Sequence, residues 1–200
     1  MYSSNTASVF GFHGLDEETG IKIINNLEQL KHSVNDYDWL GKGIYFWENN
    51  YERAKQWADQ QAQLPKNIKK TLKPFVIGAV IDFGVCLDFL DQKWLDFLSI
   101  AYKEFKIQME KEDKSLPTNG AICATDFDFK KRELDCAVIR YAHELATRRG
   151  IKFDTVRAAF WEGDELYPNA GFKMHNHIQI AVINPDCIKV VFWPREKMRL

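Results

Sequence analysis

The segment Gly41-Lys42-Gly43-Ile44-Tyr45-Phe46-Trp47 decides the fold expected for this chain. Its glycines predict a turn, and the apolar residues behind them predict a short buried strand. A second apolar segment, Ser8 to Phe12, predicts another strand that stops at His13-Gly14. Between the two strands we expect a helix, because Glu17 and Glu18 place acid in its first turn. Its apolar residues recur at helical spacing: Ile21, Ile24, Leu27 and Leu30.

The rest of the chain alternates helical and strand-like patterns. Helices are expected at about residues 51–63, 91–112 and 132–149, from apolar residues spaced three and four apart. Strands are expected at 75–83, 153–160, 177–183 and 187–193. The first of these strands is almost continuously apolar, which predicts the core of the sheet, covered on both faces. Helices in the first two thirds and short strands at both ends predict one α+β domain over residues 1–200.

Composition and charge exclude several classes of protein. Hydrophobic residues form 46% of the 200 and charged residues 28%, which excludes an intrinsically disordered chain. The net charge of -1 provides no overall positive field for nucleic acid. Neither an N-terminal signal nor an apolar run of about 20 residues is visible, so we expect a cytoplasmic protein without a membrane partner. The cysteines lack metal-ligand spacing, so we expect no metal and four reduced thiols: Cys86, Cys123, Cys136 and Cys187.

Three of the expected strands carry unusual residues near their ends: His13-Gly14, Tyr45 behind Gly43, and Gln179. Together these residues resemble the His-Tyr-Glu signature of the diphtheria-toxin and poly-ADP-ribose-polymerase branch of the ADP-ribosyltransferases. The resemblance covers most of the chain, and the pattern is also similar to that of a group of bacterial proteins with the same ending. It implies an α+β fold with a split antiparallel or mixed β-sheet core and flanking helices. It also implies NAD+ as co-substrate.

The resemblance gives several residues a role in binding NAD+. Tyr45 would stack on the nicotinamide cation, an attraction of about 0.5 to 2 kcal/mol. The backbone of Gly14 would hold the carboxamide at close range, since a glycine has no Cβ to block the approach. His13 would hydrogen-bond a ribose hydroxyl, and Gly43 belongs to the same cleft. A Rossmann dinucleotide site is not expected, because its Gly-x-Gly-x-x-Gly turn is missing.

The third position of the signature departs from the family pattern. The family has a Glu there, whose charge helps to stabilise the oxocarbenium-like state as nicotinamide leaves, whereas this sequence has Gln179. Gln keeps the hydrogen bond to the ribose but lacks the charge, and losing such electrostatic stabilisation costs several kcal/mol. Another carboxylate would have to compensate. Glu162 is the preferred substitute, and the alternatives are Asp164 and Glu165 in the same loop.

Two histidines and one arginine are further candidates near these strands. His177 shares a face with Gln179 by two-residue alternation, and either His177 or His175 would deprotonate an acceptor. Arg157 lies in the middle of a strand, where a cation needs an ion pair or a bound anion. Its two interpretations are a contact to the diphosphate of NAD+ or to the acceptor, and a buried ion pair with an acid such as Glu162. A basic rim is also expected from Lys66, Lys69, Lys70 and Lys73.

These residues predict a glycosyltransferase-class enzyme that transfers ADP-ribose from NAD+ to a macromolecular acceptor, either protein, DNA or RNA. His13, Gly14 and Tyr45 would hold NAD+, Gln179 would orient the nicotinamide ribose, and Glu162 would assist the attack. For bacterial members of such folds the resemblance implies toxin or antiviral-defence roles, with an antitoxin or regulatory protein as a further partner. The alternatives are an NAD+ glycohydrolase and a non-catalytic NAD+ or ADP-ribose-binding module. The RNA 2′-phosphotransferase branch expects cleft arginines that the sequence does not identify.

Overall fold

The computed structural model describes residues 8–68, 72–121 and 128–195, in which strands and helices are interspersed. The strands are β1 (Ser8–Asp16), β2 (Ile44–Glu48), β3 (Pro74–Asp82), β4 (Cys86–Asp88), β5 (Asn119–Gly120), β6 (Lys131–Arg132), β7 (Thr155–Phe160), β8 (His177–Val182) and β9 (Ile188–Phe192). The helices are α1 (Glu17–Ile24), α2 (Tyr51–Ala62), α3 (Pro65–Ile68), α4 (Gln92–Lys111) and α5 (Glu133–Arg148), with a 3-10 turn at Pro185–Cys187.

Seven of the strands form one mixed sheet in the order β4-β7-β8-β2-β1-β3-β9. All neighbours are antiparallel except β4 and β7, which run parallel. The two remaining strands, β5 and β6, pair with each other as a separate ribbon. The predicted α+β class with a mixed sheet is therefore confirmed.

Helices cover both faces of this sheet. The first two helices lie on opposite faces, because α1 contacts Phe75 while α2 packs with the adjacent residue Val76, and neighbouring strand residues point in opposite directions. Helix α5 covers the strands β4, β7 and β8 on the same face as α2, with Ala146 packed beside Val156 and Ala158. Helix α4 packs on α5. We call the face covered by α2 and α5 the two-helix face.

The expected helices at 51–63, 91–112 and 132–149 are confirmed within two residues at each end. The first helix is shorter than predicted and ends at Ile24. Asn26 adopts a left-handed conformation with φ of 57°, and the amide of Leu27 donates to the carbonyl of Lys22, a common way for a helix to stop. Leu27 is consequently exposed, and Leu30 packs under the sheet instead of continuing the helix.

The expected strands are confirmed, with two differences. The strand carrying His13-Gly14 does not stop there but continues to Asp16, because it pairs with β3 over its whole length. The apolar strand β3 is buried as predicted but lies next to the sheet edge, and β2 occupies the centre. The short strand β4 and the β5-β6 ribbon were not predicted, since segments of two or three residues carry no readable periodicity.

Within the described residues, no helix is both long and apolar enough to cross a membrane. Three of the cysteines, Cys86, Cys136 and Cys187, are free thiols, as expected, and burial raises the pKa of each. Cys123 lies outside the described residues.

Candidate functional site

The three strands that carry His13, Tyr45 and Gln179 are consecutive neighbours in the sheet, in the order β1, β2, β8. Strands β1 and β2 pair directly only at Gly11 with Glu48 and at Phe12 with Trp47. Beyond these pairs the strands diverge, and the Nδ1 of His13 lies 2.7 Å from the carbonyl oxygen of Tyr45. His13 thus links β1 to β2, but its ring lies against Phe46 on the face opposite Trp47 and Gln179. Burial lowers the pKa of its imidazole.

Tyr45 is held by its own turn. Its hydroxyl donates to the carbonyl of Gly41 at 2.6 Å and accepts from the amide of Leu40 at 2.9 Å. Its ring packs against the buried cluster under α5, and burial raises the pKa of the phenol. The hydroxyl therefore stabilises the Gly41 turn, where Gly41 itself needs a φ of 75°.

Both predicted cleft glycines are close-packing positions in the structure. A Cβ on Gly14 would clash with the carbonyl oxygen of Ala54, so the glycine allows helix α2 to approach β1 closely. A Cβ on Gly43 would lie 3.0 Å from the Cβ of Ala181 on β8. Gly14 therefore allows α2 to pack closely on the sheet, and Gly43 allows the chain before β2 to lie close to β8.

Gln179 lies directly opposite Trp47 on β2 and Ala158 on β7. It points to the two-helix face together with His177, so the predicted alternation is confirmed. The side chain of Gln179 is half-buried and has no hydrogen-bond partner among the residues that the structure describes.

An ion pair lies beside this residue on the same face. Nη2 of Arg53 is 2.6 Å from Oε2 of Glu162, and both side chains are buried, with exposed fractions of 6% and 13%. Arg53 is in the first turn of α2, where it also lies 5.6 Å above the ring of Trp47. Glu162 begins the loop that leads to β8, and its carbonyl accepts from the amide of His175. The preferred loop acid is therefore brought to the site.

Several buried polar atoms at this place have no hydrogen-bond partner. They are Nε and Nη1 of Arg53, Nε1 of Trp47, Nε2 of His177 and Nδ1 of His175. Within the described residues these are the only buried side-chain nitrogen or oxygen atoms without a partner. An unpartnered buried donor or acceptor costs about 1–3 kcal/mol, so such atoms collect where a ligand or water binds. We call Trp47, Arg53, Glu162, His177 and Gln179 the β8 cluster.

The protonation of His177 follows from its contacts. Its Nδ1 lies 2.5 Å from the carbonyl oxygen of His175, so Nδ1 carries the proton and donates. Burial lowers the pKa of His177, and the nearby Arg53 cation lowers it further. Its ring also stacks 6.3 Å from Trp39. The imidazole is therefore neutral at pH 7, and the unpartnered Nε2 presents a lone pair to the site.

Arg157 lies on the opposite face of the sheet from the β8 cluster. It forms a two-pronged ion pair with Glu48, at 2.6 and 2.9 Å, and a further contact of 3.0 Å to Asp88. These carboxylates raise the pKa of the guanidinium. The interpretation of Arg157 as a buried ion pair is confirmed, but Glu162 is the wrong partner. A contact from Arg157 to NAD+ would have to displace these acids.

Other predicted features lie apart from the cluster. Of the basic rim, Lys73 is exposed beside Glu17, while Lys69 and Lys70 and the side chain of Lys66 lie outside the described part. The described residues contain no group of three His, Cys, Asp or Glu placed to hold a metal ion. A groove of about 330 Å³ lies between α4 and α5, lined by apolar residues such as Leu98 and Val138.

Arg53 and Trp47 are the residues that sequence reasoning missed as site residues. One signal was present: a cation in the first turn of a helix opposes the helix dipole, which favours acids there. Asn50 caps this helix end by accepting from the amide of Arg53. A residue that opposes the helix dipole while buried is a candidate for a functional role.

Comparisons with known proteins leave the family open. No family model matches the chain, and no solved structure matches it. The chain is similar to a protein of Methanocaldococcus jannaschii, uncharacterized protein MJ0359. The two are 27% identical over an alignment of 203 residues, which covers 91% of this chain and 85% of that protein.

Proposed function

We propose that this chain is an ADP-ribosyltransferase that uses NAD+ as co-substrate and modifies a macromolecular acceptor. One observation carries the proposal: the strands with His13, Tyr45 and Gln179 are neighbours in the sheet, although they are distant in sequence. This adjacency supports the His-Tyr-Glu resemblance, with Tyr45 and Gln179 on the two-helix face and His13 on the other face of β1. The wider proposal includes the split-sheet architecture of that family, a cytoplasmic location and a role as a toxin or in antiviral defence.

We assign a separate role in this reaction to each residue. His13 and the backbone at Gly14 bind NAD+ where β1 and β2 diverge, with Tyr45 and Gly43 shaping the wall. Gln179 holds the nicotinamide ribose by hydrogen bonds, as its unpartnered amide permits. Glu162 contributes the negative charge that Gln179 lacks, at the adjacent position fixed by Arg53. Preorganised charge of this kind is the largest contribution to many enzymatic rate enhancements.

The reaction is a substitution at C1′ of the nicotinamide ribose. A nucleophilic atom of the acceptor bonds to C1′, the bond from C1′ to the pyridinium nitrogen breaks, and the electron pair leaves on nicotinamide. The cation on the ring is thereby neutralised. A neutral nucleophile also loses its proton, which the free lone pair on Nε2 of His177 can accept.

One observation favours the alternative of a non-catalytic NAD+-binding module. The carboxylate of Glu162 is already paired with Arg53 at 2.6 Å, and Gln179 is uncharged, so neither of these two residues offers an unpaired carboxylate to the ribose. A module of this kind would bind NAD+ and release no nicotinamide. Binding and turnover therefore have to be measured on the same preparation.

Incubation with NAD+ labelled in the adenylate part, with and without cell lysate, tests these proposals. Transfer gives a labelled macromolecule, and separate protease and nuclease digestions assign it to protein or nucleic acid. Free ADP-ribose without an adduct identifies a glycohydrolase instead. Binding of NAD+ without nicotinamide release identifies the binding module, and the absence of binding refutes all three.

Two loop variants test the role of Glu162. Glu162→Gln removes the charge but keeps an acceptor for Arg53, and we expect turnover to fall by at least a hundredfold. Glu165→Gln removes a charge of the same loop whose carboxylate accepts only from the amide of Asn169 among the described residues. Equal losses of turnover in the two variants would refute the catalytic role assigned to Glu162.

A further inference from the structure

The unpartnered atoms of the β8 cluster have a definite chemical character. Nε and Nη1 of Arg53 and Nε1 of Trp47 are donors, and a guanidinium has no acceptor atoms at all. Nε2 of His177 is an acceptor, because Nδ1 of the same ring donates to the His175 carbonyl. A ligand that satisfies all of them must bring several acceptor oxygens and one donor hydrogen.

We infer that Arg53, Trp47 and His177 form a subsite for a phosphate monoester group. The terminal oxygens of such a group accept from Arg53 and Trp47. Its monoprotonated form also carries one P–OH, which donates to Nε2 of His177. A carboxylate and the diphosphate of NAD+ have no such hydrogen near pH 7, so neither satisfies the His177 acceptor. This subsite does not depend on the proposed transferase activity.

The position of Arg53 favours an anion. The side chain belongs to the first turn of α2, where the backbone dipole adds positive potential to that of the guanidinium. Two of its three nitrogens are unpartnered while the third is held by Glu162, so the fork is oriented before a ligand arrives. Arg presents its donors in a fixed plane that matches two oxygens of a phosphate.

Glu162 and its loop cover the subsite. The carboxylate occupies one arm of Arg53, and the loop is further tied down by Asp128, which accepts from the amide of Gly163 and pairs with Lys173. Binding of the phosphate group therefore requires this loop to move and is opposed by the like charge of Glu162. The carboxylate competes with the ligand for the arginine.

Titration calorimetry of the whole chain with inorganic phosphate, without NAD+, tests the inference. Sulfate is the matched probe, because it has nearly the same shape but no proton near pH 7. We expect phosphate to bind at least tenfold more tightly than sulfate, since only phosphate pairs with His177. Equal affinities for the two anions, or no binding of phosphate, would overturn the inference. A nucleoside monophosphate should bind like phosphate, and a nucleoside monophosphate that binds no more tightly than sulfate would also overturn the inference.

Two conservative variants locate the site. Trp47→Phe keeps an aromatic side chain but removes the Nε1 donor. We expect phosphate affinity to fall about tenfold, which corresponds to one hydrogen bond to a charged group. Trp94→Phe is the matched control, because Trp94 packs against Phe97 and Phe153 away from the cluster. A similar loss of phosphate affinity in both variants would refute this location of the phosphate site.

Glu162→Gln separates this inference from the proposed transferase function. The variant removes the competing carboxylate, so phosphate affinity should rise several-fold, whereas transferase activity should fall. If phosphate affinity falls instead, the carboxylate supports anion binding and the inference is refuted. The presence or absence of NAD+ turnover does not affect this outcome.

Discussion

Arg53 and Glu162 form a buried ion pair of 2.6 Å that joins the first turn of α2 to the loop before β8. Removing one partner of a buried pair leaves a charge without compensation, which costs about 3–5 kcal/mol. We therefore expect Glu162→Ala to lower the free energy of unfolding by about 3 kcal/mol in urea titrations.

The double variant Arg53→Met, Glu162→Met provides the control for this prediction. With both charges replaced by apolar side chains, most of the stability should return. If the double variant loses as much unfolding free energy as Arg53→Met and Glu162→Met lose together, the pair contributes no coupling energy and the prediction is wrong.

Gly14→Ala should destabilise the protein because the new methyl group would clash with the backbone oxygen of Ala54. Helix α2 would have to move away from β1, and such overpacking typically costs 1–3 kcal/mol. Thermal unfolding measures the effect. Gly171→Ala is the matched control, since a Cβ there meets nothing within 4 Å, and its melting temperature should stay within about two degrees of the wild type.

Tyr45→Phe distinguishes a structural hydroxyl from one that contacts NAD+. The phenol bridges Leu40 and Gly41 in the turn, so its loss leaves a backbone amide and a carbonyl unpaired. We expect a loss of about 1–3 kcal/mol in unfolding free energy and less than a twofold change in NAD+ affinity, because the ring is kept. A large loss of affinity at unchanged stability would place the hydroxyl in the binding site.

Acid should destabilise the protein through its buried histidines. Burial lowers the pKa of His143 from 6.5 to about 4, and its ring packs edge-on against Phe153. Above pH 6.5 both the folded and unfolded states hold this ring neutral, so it contributes no pH dependence there. As pH falls from 6.5 toward 4, the unfolded state binds a proton and the folded state does not, so stability decreases.

The expected loss from His143 alone is on the order of 2 kcal/mol at pH 5. The lowered pKa values of His13 and His177 add to the decrease in the same direction. His143→Gln removes one titrating group and should reduce the difference in unfolding free energy between pH 7 and pH 5. An unchanged difference in that variant would contradict the assignment to His143.

Elements with long apolar periodicity could be predicted from the sequence, as helices α2, α4 and α5 show. The length of α1 could not, because its apolar spacing continues to Leu30 while Asn25 and Asn26 end the helix through their own backbone conformation. The backbone conformation of these two asparagines, and not the spacing of the apolar residues, determines where α1 ends.

The site was predictable only where it depends on strand alternation. The common face of His177 and Gln179 follows directly from a two-residue period. The contact between Arg53 and Glu162 could not be predicted, because it depends on how α2 crosses the sheet. That crossing depends in turn on the absence of a side chain at Gly14. Similarly, the partners of Arg157 come from β2 and β4, and β4 is too short to be recognised from sequence.

The place of β8 between β2 and β7 has a consequence for biosynthesis. A ribosome releases β1, β2, β3, β4 and β7 before β8, so the nascent chain holds two separate pieces of sheet with unpaired edges. Strand β8 joins them and also contributes His177 and Gln179. A translation product that stops before residue 177 therefore lacks two members of the β8 cluster, and the cluster is incomplete until β8 has been synthesised.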